Sequence, residues 1–293
     1  MVRIVIALIA SLFLIVGLPE ANSTIHGVIG NRPQRSSPLR IGAFNIEFFG
    51  WKKLNNSFIR NIIMRIVRRY DIILVQEIRD VTQGAFPALV KRVNDSSYHN
   101  YDYVVSRRMG RKAKSIEQYG FIFRTDKVAV KDIFQYPDDK DVFEREPFCV
   151  RFERKGLGRQ RTFTFIGFHA KPGPSTIPEL NELVDVYAEV KKKFGEDVVV
   201  GGDYNADCRH VCRTCWSSVN MWTDRSYEWL IKSWYDTAVG PSHCAYDRLV
   251  VNGKTMKNNS RYGAVFKFDR VYRLTPKQTR AVSDHYPVQF YLY

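Results

Sequence analysis

The sequence predicts an α/β domain containing more than one β-sheet. Three observations lead there. Apolar stretches of strand length outnumber those with helical spacing. Two of them, at 72–75 and 198–200, are continuous apolar runs of the kind found in central strands buried on both faces. Hairpin-like and crossover-like connections are mixed, and no linker or internal repeat divides the 293 residues, of which 45% are hydrophobic.

The elements follow in order. Met1-Val2-Arg3, an apolar run over 4–18 and Pro19-Glu20-Ala21 read as a secretory signal peptide spanning 1–21, with the apolar run too short for a membrane span. Residues 22–38, rich in Gly, Pro and Ser, read as a flexible N-terminal arm, leaving 39–293 as one domain. A strand is expected at 39–46. From Phe58, Ile62, Ile63, Ile66 and Val67 fall on one helical face, with Arg60, Arg65, Arg68 and Arg69 largely off it. After the buried strand at 72–75 comes a weaker helix over 82–94, then strands at 101–105, 119–124 and 148–152. A basic turn over 154–159 leads into a strand at 162–169. Leu180, Leu183, Val184, Tyr187, Val190 and Phe194 mark an amphipathic helix stopped by Gly195. Strands at 198–200, 245–251 and 288–292 complete the chain.

The net charge is +15, and removal of 1–21 takes away one Arg and one Glu, leaving it unchanged. A basic secreted protein favours polyanionic partners such as nucleic acid, anionic lipid or sulfated glycan, although a merely soluble basic surface has the same balance. The five cysteines point to disulfides in an oxidising compartment, with one left over. Cys212 and Cys215 stand at CxxC spacing without a second Cys or His pair for zinc, which leaves a loop disulfide or free thiols. Glycosylation sequons begin at Asn22, Asn55, Asn94 and Asn258, a pattern short enough to arise by chance.

Polar groups collect where strands end: Asn45 after the first, Gln76-Glu77 after the second, His169 after 163–168, and Gly202-Asp203-Tyr204-Asn205 after 198–200. Ser283-Asp284-His285 stands just before the last strand. Loops at strand ends converge while the sheet holds them rigid, so sites gather there. Each residue also has a plainer reading. Glu77 alone is a surface carboxylate, Asp203 and Asn205 are turn formers, His169 is a loop histidine, and Asp247 is a partner for Arg248. Their joint occurrence favours one site for metal-assisted phosphodiester hydrolysis.

Seven segments, taken in order, resemble the deoxyribonuclease I family: Phe44-Asn45-Ile46, Leu74 to Asp80, Glu117-Gln118-Tyr119, Arg145-Glu146-Pro147, Gly202 to Ala206, Cys244 to Arg248, and Ser283 to Pro287. The stretch 141–148 and the helix over 179–193 look most like the deoxyribonuclease gamma branch. The resemblance implies a four-layer α/β sandwich, with two mixed β-sheets packed face to face and helices outside, as in endonuclease/exonuclease/phosphatase-like folds. It implies secreted cleavage of double-stranded DNA, naked or in chromatin, by a monomer using Mg²⁺ assisted by Ca²⁺ and leaving 5′-phosphate ends. His285 with Asp247 is then the base pair and His169 with Glu117 the acid pair. Glu77, Asp203 and Asp284, helped by Asn45, hold the metal. Asn205 bonds the scissile phosphate, and Arg79 and Arg145 hold neighbouring phosphates. Cys208 and Cys244 match the family's structural disulfide. Actin inhibition, known for the founding branch, is not carried over.

Two departures from the family bear on the substrate. Residues 107–114 carry five basic side chains in eight, Arg111 and Lys114 among them, in a loop that lies against the minor groove in the family. Ser115 replaces a Tyr that packs on the sugar, which weakens the expectation of stacking there. Lys171 stands where a small neutral residue is usual, either as a phosphate contact or pointing to solvent. Two other functions remain at this stage: a phosphodiesterase of the same superfamily acting on a lipid headgroup, and a non-catalytic nucleic-acid binder. The basic loop and the absence of an exposed aromatic hairpin disfavour the first, and the intact acid, base and metal positions disfavour the second.

Overall fold

The computed structural model describes residues 37–156 and 161–293. The expected signal peptide and all but the last two residues of the expected arm lie outside the described residues. Among those described, the order is β1 (Leu39–Phe49), α1 (Trp51–Asn55), α2 (Ser57–Val67), β2 (Ile72–Ile78), α3 (Ala85–Asp95), β3 (Tyr101–Val105), β4 (Gln118–Arg124), β5 (Val128–Gln135), β6 (Phe148–Arg154) and β7 (Arg161–His169). There follow α4 (Thr176–Phe194), β8 (Val198–Asp203), a 3-10 turn (Arg213–Ser218), α5 (Asn220–Thr223), β9 (Glu228–Trp229) and β10 (Asp247–Asn252). The chain closes with α6 (Lys254–Asn259), β11 (Ser260–Val265), α7 (Phe268–Tyr272), α8 (Pro276–Val282) and β12 (Val288–Leu292).

The strands form two six-stranded mixed sheets, ordered β11-β12-β1-β2-β4-β3 and β5-β6-β7-β8-β10-β9. Side chains alternate across each strand, so each sheet has two apolar faces to cover. Ile41, Ala43, Leu74, Phe121 and Phe123 of the first sheet meet Val150, Phe152, Phe165, Val199 and Leu249 of the second in one core. Phe121 sits edge-on to Phe165 with ring centroids 5.0 Å apart. The outer face of the first sheet, with Phe44, Ile73 and Val75, is covered by Ile62, Ile63 and Ile66 of α2 and Phe86 and Leu89 of α3. The outer face of the second sheet, with Ile166, Phe168 and Val200, is covered by Leu180, Leu183 and Val186 of α4. Four layers result, as expected. Each such large side chain contributes about 1.5–3 kcal/mol on burial.

The differences from the sequence expectation have physical reasons. β5 lies at a sheet edge and carries Lys131 and Asp132 among half-buried neighbours, so its alternation is diluted. β2 and β8 run past their apolar cores into Gln76-Glu77 and Asp203, which are buried polar residues. β11 and the short helices α5 to α8 carry too few apolar positions to register as periodic.

Cys208 and Cys244 form a disulfide, as the family pattern implied, and Cys212 and Cys215 form a second. Cys149 is the leftover cysteine, free and buried.

Candidate active site

The topology brings the polar strand ends to one edge. Asn45 of β1 pairs with Gln76 in the parallel β1–β2 ladder, and His169 pairs with Asp203 in the parallel β7–β8 ladder. Asp203 in turn pairs with Asp247 at the start of β10. The two sheets are tied together here by Gln76, whose Nε2 donates to Phe168 O (2.7 Å) and whose Oε1 accepts from Asp203 N (3.1 Å). This close approach needs glycine at 202. Its φ is +132°, and a Cβ there would lie 2.1 Å from Phe168 O.

Two imidazole–carboxylate dyads face each other across this edge. His169 Nδ1 lies 2.7 Å from Glu117 Oε1, and His285 Nδ1 lies 2.8 Å from Asp247 Oδ2. Their opposite nitrogens converge on one oxygen: His169 Nε2 is 3.4 Å and His285 Nε2 3.5 Å from Asp203 Oδ2. Asn45 Nδ2 donates to that same oxygen and to Glu77 Oε1, each at 3.1 Å, while Glu47 N holds Asn45 Oδ1 at 3.0 Å. Glu77 has φ +60°, a conformation that costs a non-glycine residue roughly 1 kcal/mol or more and often marks a site. Asn205 adopts φ +47°, with its N–H on Asp203 Oδ1 (2.9 Å) and its Nδ2 on Ala170 O (2.9 Å). The turn reading of Asp203 and Asn205 therefore holds together with the site reading, since Asp203 turns one oxygen to the loop and the other to the histidines. Ser283 Oγ joins Asn45 O (2.7 Å) to His285 N (3.0 Å), fastening the last loop onto β1.

The surroundings of the two dyads differ in charge. Burial alone would raise the Glu117 carboxyl, but the charges of His169 and Arg145 outweigh it and hold the group below the ordinary carboxylate value. Arg145 Nε lies 2.9 Å and Arg79 Nη2 3.6 Å from Glu117 Oε2. Burial lowers His169, yet Glu117 outweighs it and raises the ring. Around His285 burial is again opposed, here by Asp247 and Asp203, and the ring is held well above its ordinary value. Asp247 is raised by burial, despite His285 and with Asp203 adding to the effect. Asp284 is raised by burial foremost.

All the residues expected at the site except Arg111 and Lys114 lie in or beside this cluster. Arg79 pairs with Glu77 (3.1 Å) and covers the Phe48 ring. Arg145 is almost fully buried, its guanidinium turned onto Glu117, Ser115 O and His169 O. Asp284 is partly exposed and lies 3.6 Å from Arg280 Nη2 and 3.8 Å from His285 Nε2. Arg248 is not the partner of Asp247, since its guanidinium donates to Ile231 O and Ala206 O. In the basic loop, Arg111 pairs with Asp141, Arg107 with Glu146, and Arg108 with Asp80 O, while the Lys114 carbonyl accepts from Arg79. Lys171 pairs with Glu144 Oε2 at 3.0 Å, and Ser115 Oγ donates to Glu144 Oε1. One carboxylate thus joins both departures from the family pattern.

Three supports were not assigned from sequence. Gln76 had a signal, as a polar residue continuing a buried strand. Lys53, which donates to Ile46 O (2.7 Å) and Val282 O (2.8 Å), had none. Nor did Glu179, whose two oxygens accept from Glu144 N and Lys171 N (3.2 Å each).

The acidic cluster has the character of a cation site. Asp203, Asp247 and His285 offer ligand atoms within 4.8 Å of one another. Asp284 Oδ1 and Asp247 Oδ1 are sheltered from solvent without a hydrogen-bond partner. Hard oxygen donors with surplus negative charge suit a hard divalent cation. Asn45, with its oxygen committed to Glu47 N, acts here as a donor that orients two of the carboxylates.

Residues 42–285 match the endonuclease/exonuclease/phosphatase family. The chain is 40% identical over 272 residues to human deoxyribonuclease-1, covering 88% of this chain and 94% of that one. It is 37% identical over 276 residues to human deoxyribonuclease-1-like 2, covering 87% and 92% respectively. Among solved structures, an endonuclease/exonuclease/phosphatase from Bacteroides vulgatus superposes with a TM-score of 0.61 at 18% identity, over 88% of this chain and 99% of that one. The human Nocturnin catalytic domain superposes with a TM-score of 0.60 at 13% identity, over 87% and 94%. At such identities these two structures bear on the fold alone.

Proposed function

The chain belongs to the deoxyribonuclease I family and is a DNA-hydrolysing endonuclease, and from that premise we propose that it cuts double-stranded DNA with its two histidines as general base and general acid. The observation that carries this reading is the convergence of both Nε2 atoms on Asp203 Oδ2, which leaves one small volume that both imidazoles reach.

His285 Nε2 takes a proton from the attacking water, and the water oxygen forms a bond to phosphorus. Asp247 accepts a hydrogen bond from Nδ1–H, which fixes the tautomer and stabilises the imidazolium that forms. His169 Nε2 gives its proton to the departing 3′-oxygen, so the products are a 5′-phosphate and a 3′-hydroxyl. Glu117 outweighs burial and raises the His169 ring, favouring the protonated form that an acid starts from. Asn205 and Arg79 orient the phosphate. Arg145 holds Glu117 in place, with neighbouring phosphates as a further contact. Arg111 and Lys114 present positive charge to the flanking backbone.

Glu77, Asp203 and Asp284 would hold Mg²⁺, with Asn45 orienting the first two and Ca²⁺ assisting. The bound cation supplies positive charge that offsets the carboxylates and stabilises charge on the phosphate. One chain supplies every residue of the site, which supports action as a monomer. The two disulfides support secretion into an oxidising compartment. The 141–148 stretch supports a place near the gamma branch.

Plasmid nicking with Mg²⁺ plus Ca²⁺, and with EDTA, tests this directly. Nicked circles bearing ligatable 5′-phosphates, lost with EDTA, are expected. Cleavage that persists in EDTA, or that leaves 3′-phosphates, would refute the mechanism.

A further inference from the structure

At the far end of the first sheet, away from the dyads, lies a second concave site. It is a cavity of about 280 Å³ lined by Arg40, Arg69, Arg124, Lys127, Asp71 and Tyr291, together with Ser37 and Pro38. Arg40 stands near the start of β1 and Asn45 five positions on, so the cavity is about 17 Å from the catalytic edge along the strand.

Four cations line this cavity against one carboxylate. Asp71 serves as a bracket: Oδ2 accepts from Arg40 N (2.8 Å) and Oδ1 from Arg124 Nη1 (3.1 Å). Arg124 is further satisfied by Asp126 at 2.6 Å. Among the described residues Arg40, Arg69 and Lys127 form no ion pair. Lys127 Nζ donates to Ser37 Oγ (2.6 Å), and Arg40 Nη1 donates to Arg69 O (3.2 Å). The Nε atoms of Arg40 and Arg69 are shut away from solvent with no hydrogen-bond acceptor. Leaving such a donor unsatisfied is costly, more so on a charged group.

The guanidinium groups are nevertheless held in position. Arg40 lies over the Tyr291 ring at 5.0 Å and Arg69 over the Phe266 ring at 3.7 Å. Cations gathered, oriented by aromatic rings and outnumbering the one carboxylate among them are what an oxyanion needs, since planar guanidinium forks bind tetrahedral oxygens in pairs.

We infer that this cavity is an anion site for a phosphate or sulfate group, separate from the catalytic centre. A concave pocket of this size admits a terminal group carried on a nucleotide or sugar, or the free ion.

The test is thermal unfolding of the full-length protein in EDTA, with sodium phosphate compared against sodium chloride at matched ionic strength. Phosphate at about ten times its Kd should raise Tm by about 2–4 °C over chloride. Arg69→Gln should weaken that response at least about tenfold, with plasmid nicking in Mg²⁺ unchanged. If Arg69→Gln fails to fold, Lys127→Gln, whose ammonium donates to Ser37 Oγ and forms no ion pair among the described residues, should show a weakened response as well. A His285→Ala protein should keep the full response.

Two further pairs identify the carrier: a dinucleotide with and without a 5′-phosphate, and a glucosamine with and without a sulfate. Stabilisation by the charged member of either pair supports the site and names the source. The inference is overturned if phosphate gives no shift beyond chloride. It is also overturned if the shift survives Arg69→Gln and Lys127→Gln but vanishes in His285→Ala, which would put the ion at the catalytic centre. The thermal shifts that decide the inference do not depend on hydrolysis, so they are independent of the mechanism proposed above.

Discussion

The two dyads proposed as acid and base have the same Nδ1–carboxylate arrangement, at 2.7 and 2.8 Å, but sit in opposite electrostatic surroundings. Glu117 is fully buried and backed by Arg145 and Arg79, while the Asp247–His285 pair has Asp203 and Asp284 nearby and, among the described residues, Asp247 forms no ion pair with an arginine or lysine. The acid side is therefore neutralised by the protein itself, and the base side carries surplus negative charge that the protein leaves unbalanced. The same imidazole–carboxylate unit can be built for two tasks by what stands behind it. On the proposed reading the acid dyad is balanced by its own arginines, and the base dyad would be balanced by a cation from solution.

The largest effect expected is on rate. His169→Ala and His285→Ala should each lower nicking by roughly two to four orders of magnitude, the usual scale of general acid–base catalysis, measured with the same plasmid under saturating Mg²⁺. Comparable thermal stability in both variants would show that the loss is chemical.

The carboxylates should separate the dyads by stability. Glu117→Gln leaves buried Arg145 without its counter-charge and should cost about 3–5 kcal/mol. Asp247→Asn removes a charge from an already anionic neighbourhood and should cost about 1 kcal/mol, the worth of the hydrogen bond alone. Urea denaturation of both decides it, and equal losses would break the comparison.

On the acid side a pH effect is carried by Glu179. Burial pushes the Glu179 carboxyl up to about 7, above its ordinary 4.5, in spite of the two backbone N–H groups it accepts. The folded state therefore holds this proton more tightly than the unfolded one. The resulting stability is complete below the unfolded value and disappears as pH rises through about 7, amounting to about 3 kcal/mol. Denaturation at pH 5 and pH 8 should show wild type losing most of this amount relative to Glu179→Gln, which starts lower because its amide serves only one of the two N–H groups. Parallel behaviour of the two proteins would remove Glu179 from the account.

The smallest effect concerns the short disulfide. Cys212 and Cys215 are three residues apart, so their bond restricts the unfolded chain little. Replacing both with Ser should cost about 2 kcal/mol or less, with nicking unchanged, as seen in paired melting and activity measurements.

Much of this site was legible because its residues sit at strand ends, where periodicity stops and a polar residue stands out. Asn45, Glu77, His169, Asp203 and the Ser283-Asp284-His285 run were each visible as such interruptions. Partnership was given by the family resemblance and not by the residue pattern itself. Glu117 and His169 lie on opposite sheets, and only the stacking of those sheets brings Nδ1 to Oε1. Asp247 beside Arg248 looked like a salt bridge in sequence, yet neighbours along a strand point to opposite faces. The fold was legible for β1, β2, β8 and α4, whose apolar patterns are long or unbroken. It was not for the edge strands β5 and β11, whose exposed positions carry the residues that solvent prefers. Lys171 and Ser115 looked like separate departures until Glu144 joined them.

The most direct test of the division of labour uses DNA in which the departing 3′-oxygen is replaced by sulfur. A thiolate leaves without needing a proton, so general acid catalysis becomes dispensable while the attacking water still needs its base. The account predicts that His169→Ala recovers most of its lost rate on this substrate, relative to wild type on the same DNA, and that His285→Ala does not. Recovery by His285→Ala instead, or equal deficits in both variants, would contradict the assignment of acid and base.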